Sequence, residues 1–95
     1  MVKIVWTEIS ILDLKEIFDY IAEDSDRYAT LTTNKIYQRV QVIANNPFLG
    51  RIVPEFNEKL LRELIEGNYR IVYIIHSDHI GIVRVHHASR LLKKV

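Results

Sequence analysis

The spacing of apolar residues changes about half-way along this chain of 95 residues, and this change limits the possible folds. Before residue 46, apolar side chains recur at steps of three and four, which is typical of helices with one apolar face. After residue 60, they come in short runs rich in β-branched and aromatic residues, which is typical of strands. Helices followed by strands predict an α+β domain, in which the helices pack on one face of a sheet.

The first half is predicted to contain a short strand and two helices. The strand covers residues 3–7, and residues that can cap a helix place the start of the first helix at Thr7 or Ser10. The apolar stripe of that helix is Ile11, Leu14, Ile17, Phe18 and Ile21. A polar break at residues 23–26 precedes the second helix, which ends before Pro47 because proline disfavours helical backbone at the preceding residue. The short break predicts an antiparallel helical hairpin.

The second half is predicted to form three antiparallel strands. Residues 48–58 show no periodicity and include glycine and proline, so they are predicted to be a loop. The strands are predicted at residues 60–65, 69–76 and 79–87. The predicted order is therefore β-α-α-β-β-β, with an N-terminal strand and a helical hairpin packed on a small antiparallel sheet.

Length and composition indicate one domain, residues 1–95, with one hydrophobic core. Hydrophobic residues make up 48% of the chain and charged residues 26%, which excludes the composition of a disordered protein. No apolar run approaches the roughly 20 residues of a membrane span, and the first six residues lead directly into the predicted strand. Together with the absence of cysteine, these features lead us to expect a cytoplasmic protein without a signal peptide, a membrane span or a disulfide.

The charges are distributed unevenly along the chain. The formal net charge is only +1, which is weak for a nucleic-acid-binding domain. Acidic residues concentrate before residue 27, whereas residues 84–94 contain arginine, lysine and histidine but no acid. The C-terminal end is therefore predicted to be locally cationic.

Short sequence phrases distributed over nearly the whole chain resemble those of the RelE/ParE superfamily of bacterial toxins. Besides Trp6 before the first helix, the phrases are DLKEI at 13–17, NPFLGR at 46–51, LREL at 61–64, YRIVY at 69–73 and VHHASR at 85–90. The resemblance implies the toxin of a type II toxin–antitoxin system, of the kind used in plasmid stabilisation, that a cognate antitoxin neutralises. It implies no cofactor and no membrane partner.

The superfamily contains two activities that arrest growth. ParE-like members inhibit DNA gyrase, and RelE-like members cleave mRNA on the ribosome. The long helical hairpin and the Gly50-Arg51 and LREL phrases resemble the ParE type more closely, so gyrase is the expected target and ribosome-bound mRNA is the alternative.

The ribonuclease alternative would need specific side chains. Attack by a ribose 2′-hydroxyl requires a base, cations that hold the phosphate and an acid for the leaving oxygen. Glu55, Arg70 and His87 are the candidate catalytic residues, and Glu55 matches by its Pro-Glu context the catalytic glutamate of YoeB-type toxins. Arg62 and Arg90 are the candidate substrate-binding residues.

Strand register determines whether these side chains can converge. If residues 77 and 78 form a two-residue loop, Arg70 lies opposite Val85 and shares a face of the sheet with His87. If residues 66–68 form the preceding loop, Arg62 joins that face. If only residues 67 and 68 form it, Glu63 takes the place of Arg62 and is expected to form an ion pair with Arg70. Both alternatives remain open at the level of the sequence.

The histidines do not predict a metal site. His86 and His87 are adjacent on a strand and therefore point to opposite faces of the sheet. His76 and His79 flank a predicted turn and could bind a metal together with Asp78, but solvated turn histidines are the better interpretation. No metal ligand is therefore assigned.

Overall fold

The structure is a computed structural model that describes residues 2–93. Its elements are β1 (Lys3–Trp6), α1 (Glu8–Ala22), α2 (Asp26–Asn45), β2 (Arg51–Ile52), β3 (Leu61–Glu66), β4 (Tyr69–Ile75) and β5 (His79–His87), with one turn of 3-10 helix at Pro47–Leu49. The predicted α+β class and the predicted order of the main elements are confirmed. Lys94, the last residue of the predicted cationic segment, lies outside the described residues.

The five strands form one mixed sheet in the order β1-β5-β4-β3-β2. β3, β4 and β5 form the expected antiparallel meander. The structure adds two features to the prediction. β1 joins the sheet as an edge strand parallel to β5, and β2 pairs with β3 at the other edge. The prediction of a plain loop at residues 48–58 was therefore wrong, because part of this segment is held against β3 by backbone pairing.

The two helices begin at hydroxyl caps. Thr7 accepts a hydrogen bond from the backbone N–H of Ser10, and Ser25 accepts one from Tyr28, which satisfies donors that the first turn of a helix leaves unpaired. None of the described helices is long and apolar enough to cross a membrane.

The hairpin covers one face of the sheet mainly through α2. Ile36, Val40 and Ile43 are completely buried and pack against side chains of β3, β4 and β5. The stripe of α1 is buried less than its periodicity predicts, and Ile11 remains 54% exposed. The hairpin therefore leaves apolar surface on α1 uncovered.

A second, smaller core lies on the opposite face of the sheet. Val53, Leu61, Val72 and Leu92 are its buried members. Leu92 belongs to the segment after β5, residues 88–93, which crosses this face and is called the strap below. The strap and the residues around Val53 therefore cover the face of the sheet that the helices do not contact.

A β-bulge changes the register between β4 and β5. Close to the hairpin loop the predicted pairing holds, and Tyr73 lies opposite Ile82. Val72, however, lies opposite Arg84, so Val83 is an extra residue in β5. Arg70 consequently faces His86, and the prediction that it lies opposite Val85 and shares a face with His87 was wrong.

Candidate functional site

The turn between β3 and β4 consists of Gly67 and Asn68 alone, because Glu66 pairs with Tyr69. Gly67 has φ of +58°, a backbone conformation that glycine adopts without a steric penalty. With this turn, Glu63 and Arg70 lie on the same face of the sheet, and the structure confirms the predicted ion pair between them. The alternative that placed Arg62 beside Arg70 was wrong, since Arg62 lies opposite Tyr73 and shares the helix-facing side.

The guanidinium of Arg70 is surrounded by acceptors. Its Nε donates to Glu63 Oε1 at 2.7 Å, and Nη2 donates to the same oxygen and to Glu55 Oε1 at 3.0 Å. Nη1 donates to Glu55 Oε2 at 2.7 Å and to the backbone carbonyl of Arg90 at 2.9 Å. These contacts use all five N–H groups that a guanidinium possesses. The side chain is also nearly inaccessible, at 6% exposure.

The two carboxylates that bind Arg70 have further partners. Glu63 is completely buried and accepts a second charged hydrogen bond from Arg51 Nε at 2.6 Å. Glu55 accepts the backbone N–H of Leu92 at 2.7 Å. Arg70 and this backbone bond hold the pKa of Glu55 at about 2, below its ordinary value of 4.5. The network therefore fastens the strap at two points, through Arg90 and Leu92.

Acidification is expected to weaken this network. The pKa of Glu55 is lower in the folded protein than its ordinary value, so its stabilising contribution is complete above pH 4.5 and is lost as the pH falls towards 2. Urea unfolding at several pH values should show a smaller decrease over this range for Glu55→Gln than for the wild type, because the variant has no carboxylate at this position to protonate. Equal decreases in the two proteins would contradict the prediction.

The other predicted site residues do not join Arg70 and Glu55. His87 lies opposite Tyr69 on the helix-facing side, where its Nδ1 accepts the backbone N–H of Ser89. Arg62 donates to the backbone carbonyls of Lys59 and Gly50. Arg90 contributes its carbonyl to Arg70, and its side chain is exposed. Of the candidate catalytic residues, the structure brings together only Arg70 and Glu55.

The turn histidines form a stacked pair. The rings of His76 and His79 lie 4.3 Å apart and nearly parallel, and Asp78 is 2.8 Å from His79 Nδ1. Among residues 2–93, no group of three or more His, Cys, Asp or Glu side chains is arranged to hold a metal ion.

The sequence interpretation gave too little weight to one charged residue of this half of the sheet and missed the contacts of another. Glu63 was considered only as an alternative, although it is at the centre of the Arg70 network. Asp13 of α1 was not considered, yet it accepts two hydrogen bonds from Arg84 and a third from the backbone N–H of Val85. Its place in the DLKEI phrase was the available signal, because an acid beside an apolar stripe can reach the adjoining sheet.

Comparison with protein families identifies this fold. Residues 4–92 match the family described as ParE toxin of type II toxin–antitoxin system, parDE. This chain belongs to that toxin family. The ParE-family toxin described here is also 33% identical over 92 residues to Toxin RelE2 of Caulobacter vibrioides, a match that covers 96% of this chain and 100% of the relative. The resemblance to RelE/ParE toxins is thereby confirmed.

Solved structures share the architecture of this ParE-family toxin. A chain of the chromosomal ParDE toxin–antitoxin system from P. aeruginosa aligns with a TM-score of 0.78 and 21% identity, covering 94% of this chain and 98% of that one. The YoeB dimer from Staphylococcus aureus aligns with a TM-score of 0.60 and 20% identity, covering 90% and 95% of the respective chains. At these identities the matches establish a common fold.

Proposed function

We propose that this toxin arrests growth as a ParE-like inhibitor of DNA gyrase, that it cleaves no RNA, and that it acts in the cytoplasm, where a cognate antitoxin neutralises it. The observation that carries the proposal is the complete use of the Arg70 guanidinium inside the protein. A side chain that stabilises a phosphate in a transition state needs N–H groups directed at the substrate. Arg70 has none left to offer.

The state of Glu55 supports the same conclusion. A general base works best when its pKa is close to the pH at which the enzyme operates. The pKa of Glu55 is held at about 2, so this carboxylate is a weak base at neutral pH. His87 lies on the other face of the sheet, so it cannot serve as the acid in a site built around Arg70. Arg70 and Glu55 are therefore proposed to be structural residues that fasten the strap.

RelE-like cleavage of mRNA is the second candidate function. The similarity to Toxin RelE2 favours it. This function would require Glu55 to leave Arg70 when RNA binds, which would release the guanidinium, restore a higher pKa to the carboxylate and detach the strap.

We propose that the antitoxin docks on the helical hairpin. Ile11, Leu14 and Phe18 of α1 line a groove with Thr33 of α2, and Lys15 and Asp19 lie at its edge. An amphipathic helix would fill such a groove with its apolar face. Strand addition is less favoured at the β2 edge, because β2 has only two residues.

Expression of the chain alone in a bacterial host distinguishes the two functions. Gyrase inhibition predicts continued amino-acid incorporation together with lost negative supercoiling or broken plasmid DNA. His87→Ala should retain full toxicity, because His87 is exposed at the end of the sheet, where its ring contacts Tyr69 and Ser89. Co-expression of the small protein encoded beside the toxin gene should restore growth.

A different pattern would overturn the proposal. Rapid loss of translation with cleaved mRNA, abolished by His87→Ala while the melting temperature stays unchanged, would establish the ribonuclease function. Arg27→Ala is the matched control for expression and folding, because Arg27 is exposed at the start of α2 and forms no ion pair with the described residues.

A further inference from the structure

The loop between β4 and β5 brings two histidines together on one face of the sheet. The last pair of the ladder is Ile75 with Ile80. His76 and His79 follow as the next pair, and the N–H of His76 donates to the carbonyl of His79 at 2.9 Å. Directly paired residues of antiparallel strands point to the same face. The two imidazole rings therefore lie side by side, with centroids 4.3 Å apart and planes at 19°.

Asp78 determines which nitrogen of His79 is available to a ligand. Its Oδ1 lies 2.8 Å from His79 Nδ1. A carboxylate only accepts hydrogen bonds, so Nδ1 carries the proton of the neutral ring and Nε2 has the free lone pair. Metal-binding histidines commonly donate their second ring N–H to a carboxylate, which orients the ring and makes the coordinating nitrogen more basic. His79 therefore already has the tautomer and the partner of a metal ligand.

The other ring nitrogens of the pair are open to the solvent. Among residues 2–93, no hydrogen bond uses His79 Nε2 or either nitrogen of His76. His76 is exposed, and the His79 side chain is 31% exposed. In this respect the pair differs from His86, whose unpartnered Nε2 is buried. An ion can reach the pair without any movement of the backbone.

Only a small movement of the rings is needed to hold one ion. Zinc binds imidazole nitrogen at about 2.0–2.1 Å, so two nitrogen ligands of one ion lie roughly 3–3.5 Å apart. Rings with centroids 4.3 Å apart reach this separation by tilting towards each other at one edge. Because both rings are accessible, the tilt displaces no side chain of the core.

The surroundings of the pair select the class of ion. Asp78 is the one carboxylate in contact with the pair among the described residues, and Lys3 lies opposite His79 on β1 with its side chain exposed. Mg²⁺ and Ca²⁺ prefer sets of oxygen ligands, which this pair does not provide. Imidazole suits Zn²⁺ and Cu²⁺. Since no third His, Cys, Asp or Glu within residues 2–93 completes a ligand set, water would fill the remaining coordination positions.

We propose that His76 and His79 bind a divalent transition-metal ion such as Zn²⁺ through one nitrogen of each ring, and that Asp78 orients the His79 ring. The ion would fasten the two ends of the hairpin loop to each other. The proposal departs from the sequence interpretation, in which these histidines were solvated turn residues. The pair lies at the end of β4 opposite to Arg70, so the proposal does not depend on the choice between gyrase inhibition and RNA cleavage.

Calorimetric titration of the whole protein, prepared without a histidine tag, with Zn²⁺ tests this inference. One ion should bind per chain. His76→Gln and His79→Gln should each weaken binding at least about tenfold, because losing a ligand costs no less than losing the group that orients it. Asp78→Asn should weaken binding about tenfold. Zn²⁺ should also raise the melting temperature of the wild type and not that of His76→Gln, because the ion binds the folded hairpin.

His87→Gln is the matched control, because His87 is an exposed histidine at the other end of β5, and its replacement should leave the affinity for Zn²⁺ unchanged. Absence of Zn²⁺ binding, unchanged binding in His76→Gln, or an equal loss in His87→Gln would overturn the site. Unchanged binding in Asp78→Asn would overturn the role of Asp78. Equally tight binding of Mg²⁺ would overturn the class of ion.

Discussion

Glu63→Ala is expected to lower the free energy of unfolding by about 3–5 kcal/mol, the usual cost of removing one partner from a buried ion pair. Glu63 is completely buried, and it binds both Arg70 and Arg51. Its removal leaves the Arg70 Nε without an acceptor inside the protein and leaves a cavity beneath the second core. Natural domains are stable by only about 5–15 kcal/mol, so this variant should unfold at a much lower urea concentration or fail to accumulate.

Glu58→Ala is the matched control for this experiment. Glu58 is an exposed glutamate of the neighbouring loop, and its side chain makes no ion pair with the described residues. Its replacement should change the stability by less than about 0.5 kcal/mol. Similar urea midpoints for the two variants would show that the Arg70 network contributes little to folding.

Gly50→Ala is expected to destabilise the protein by about 2–4 kcal/mol, because the site is already filled. A Cβ atom at this position would lie 2.5 Å from the hydroxyl of Tyr73 and 2.6 Å from the backbone carbonyl of Glu63. That hydroxyl accepts the N–H of Gly50 and donates to the carbonyl of Pro47, and Tyr73 is completely buried. The added methyl group would therefore displace Tyr73 or separate β2 from β3. Thermal unfolding followed by circular dichroism measures the loss.

Gly81→Ala tests whether the effect is specific to the crowded position. The nearest atom to a Cβ at Gly81 is 3.6 Å away, an ordinary contact distance. This substitution should be neutral or should stabilise the protein by about 0.4–1 kcal/mol, because alanine restricts the unfolded chain. If both variants lost the same stability, crowding at Gly50 would not be the cause.

The helices and the meander could be predicted from the sequence because their periodicities differ and their boundaries carry local signals. The hydroxyl of Thr7 and the ring of Pro47 act within one turn of a helix, so they mark its ends whatever the rest of the chain does. The pairing of β1 with β5 could not be predicted in this way. It joins residues about 76 positions apart, and it depends on how α1 and α2 return the chain to the sheet.

The candidate site was predicted less well, because it depends on register. Strict alternation along β5 would have placed Arg84 on the side of the main core, beside Ile71. Because Val83 is an extra residue in β5, Val85 faces the main core instead. Arg84 then lies on the other face of the sheet and donates a hydrogen bond to Asp13. The spacing of the core residues of β5 indicates the bulge. Ile80 and Ile82 are two residues apart, whereas Ile82 and Val85 are three apart. Residues three apart point to opposite faces of a regular strand, so all three can face the core only if one residue is extra.

The parallel pairing of β1 and β5 has a consequence for the synthesis of the protein. The ribosome releases residues 3–6 well before their partners, residues 79–82, which are about 76 positions further along the chain. The helical hairpin consists of neighbouring residues, so it can form while translation continues, whereas the sheet must wait for long-range contacts. Leu92 emerges later still. The nascent chain therefore cannot complete its native sheet before residues 79–82 have left the ribosome.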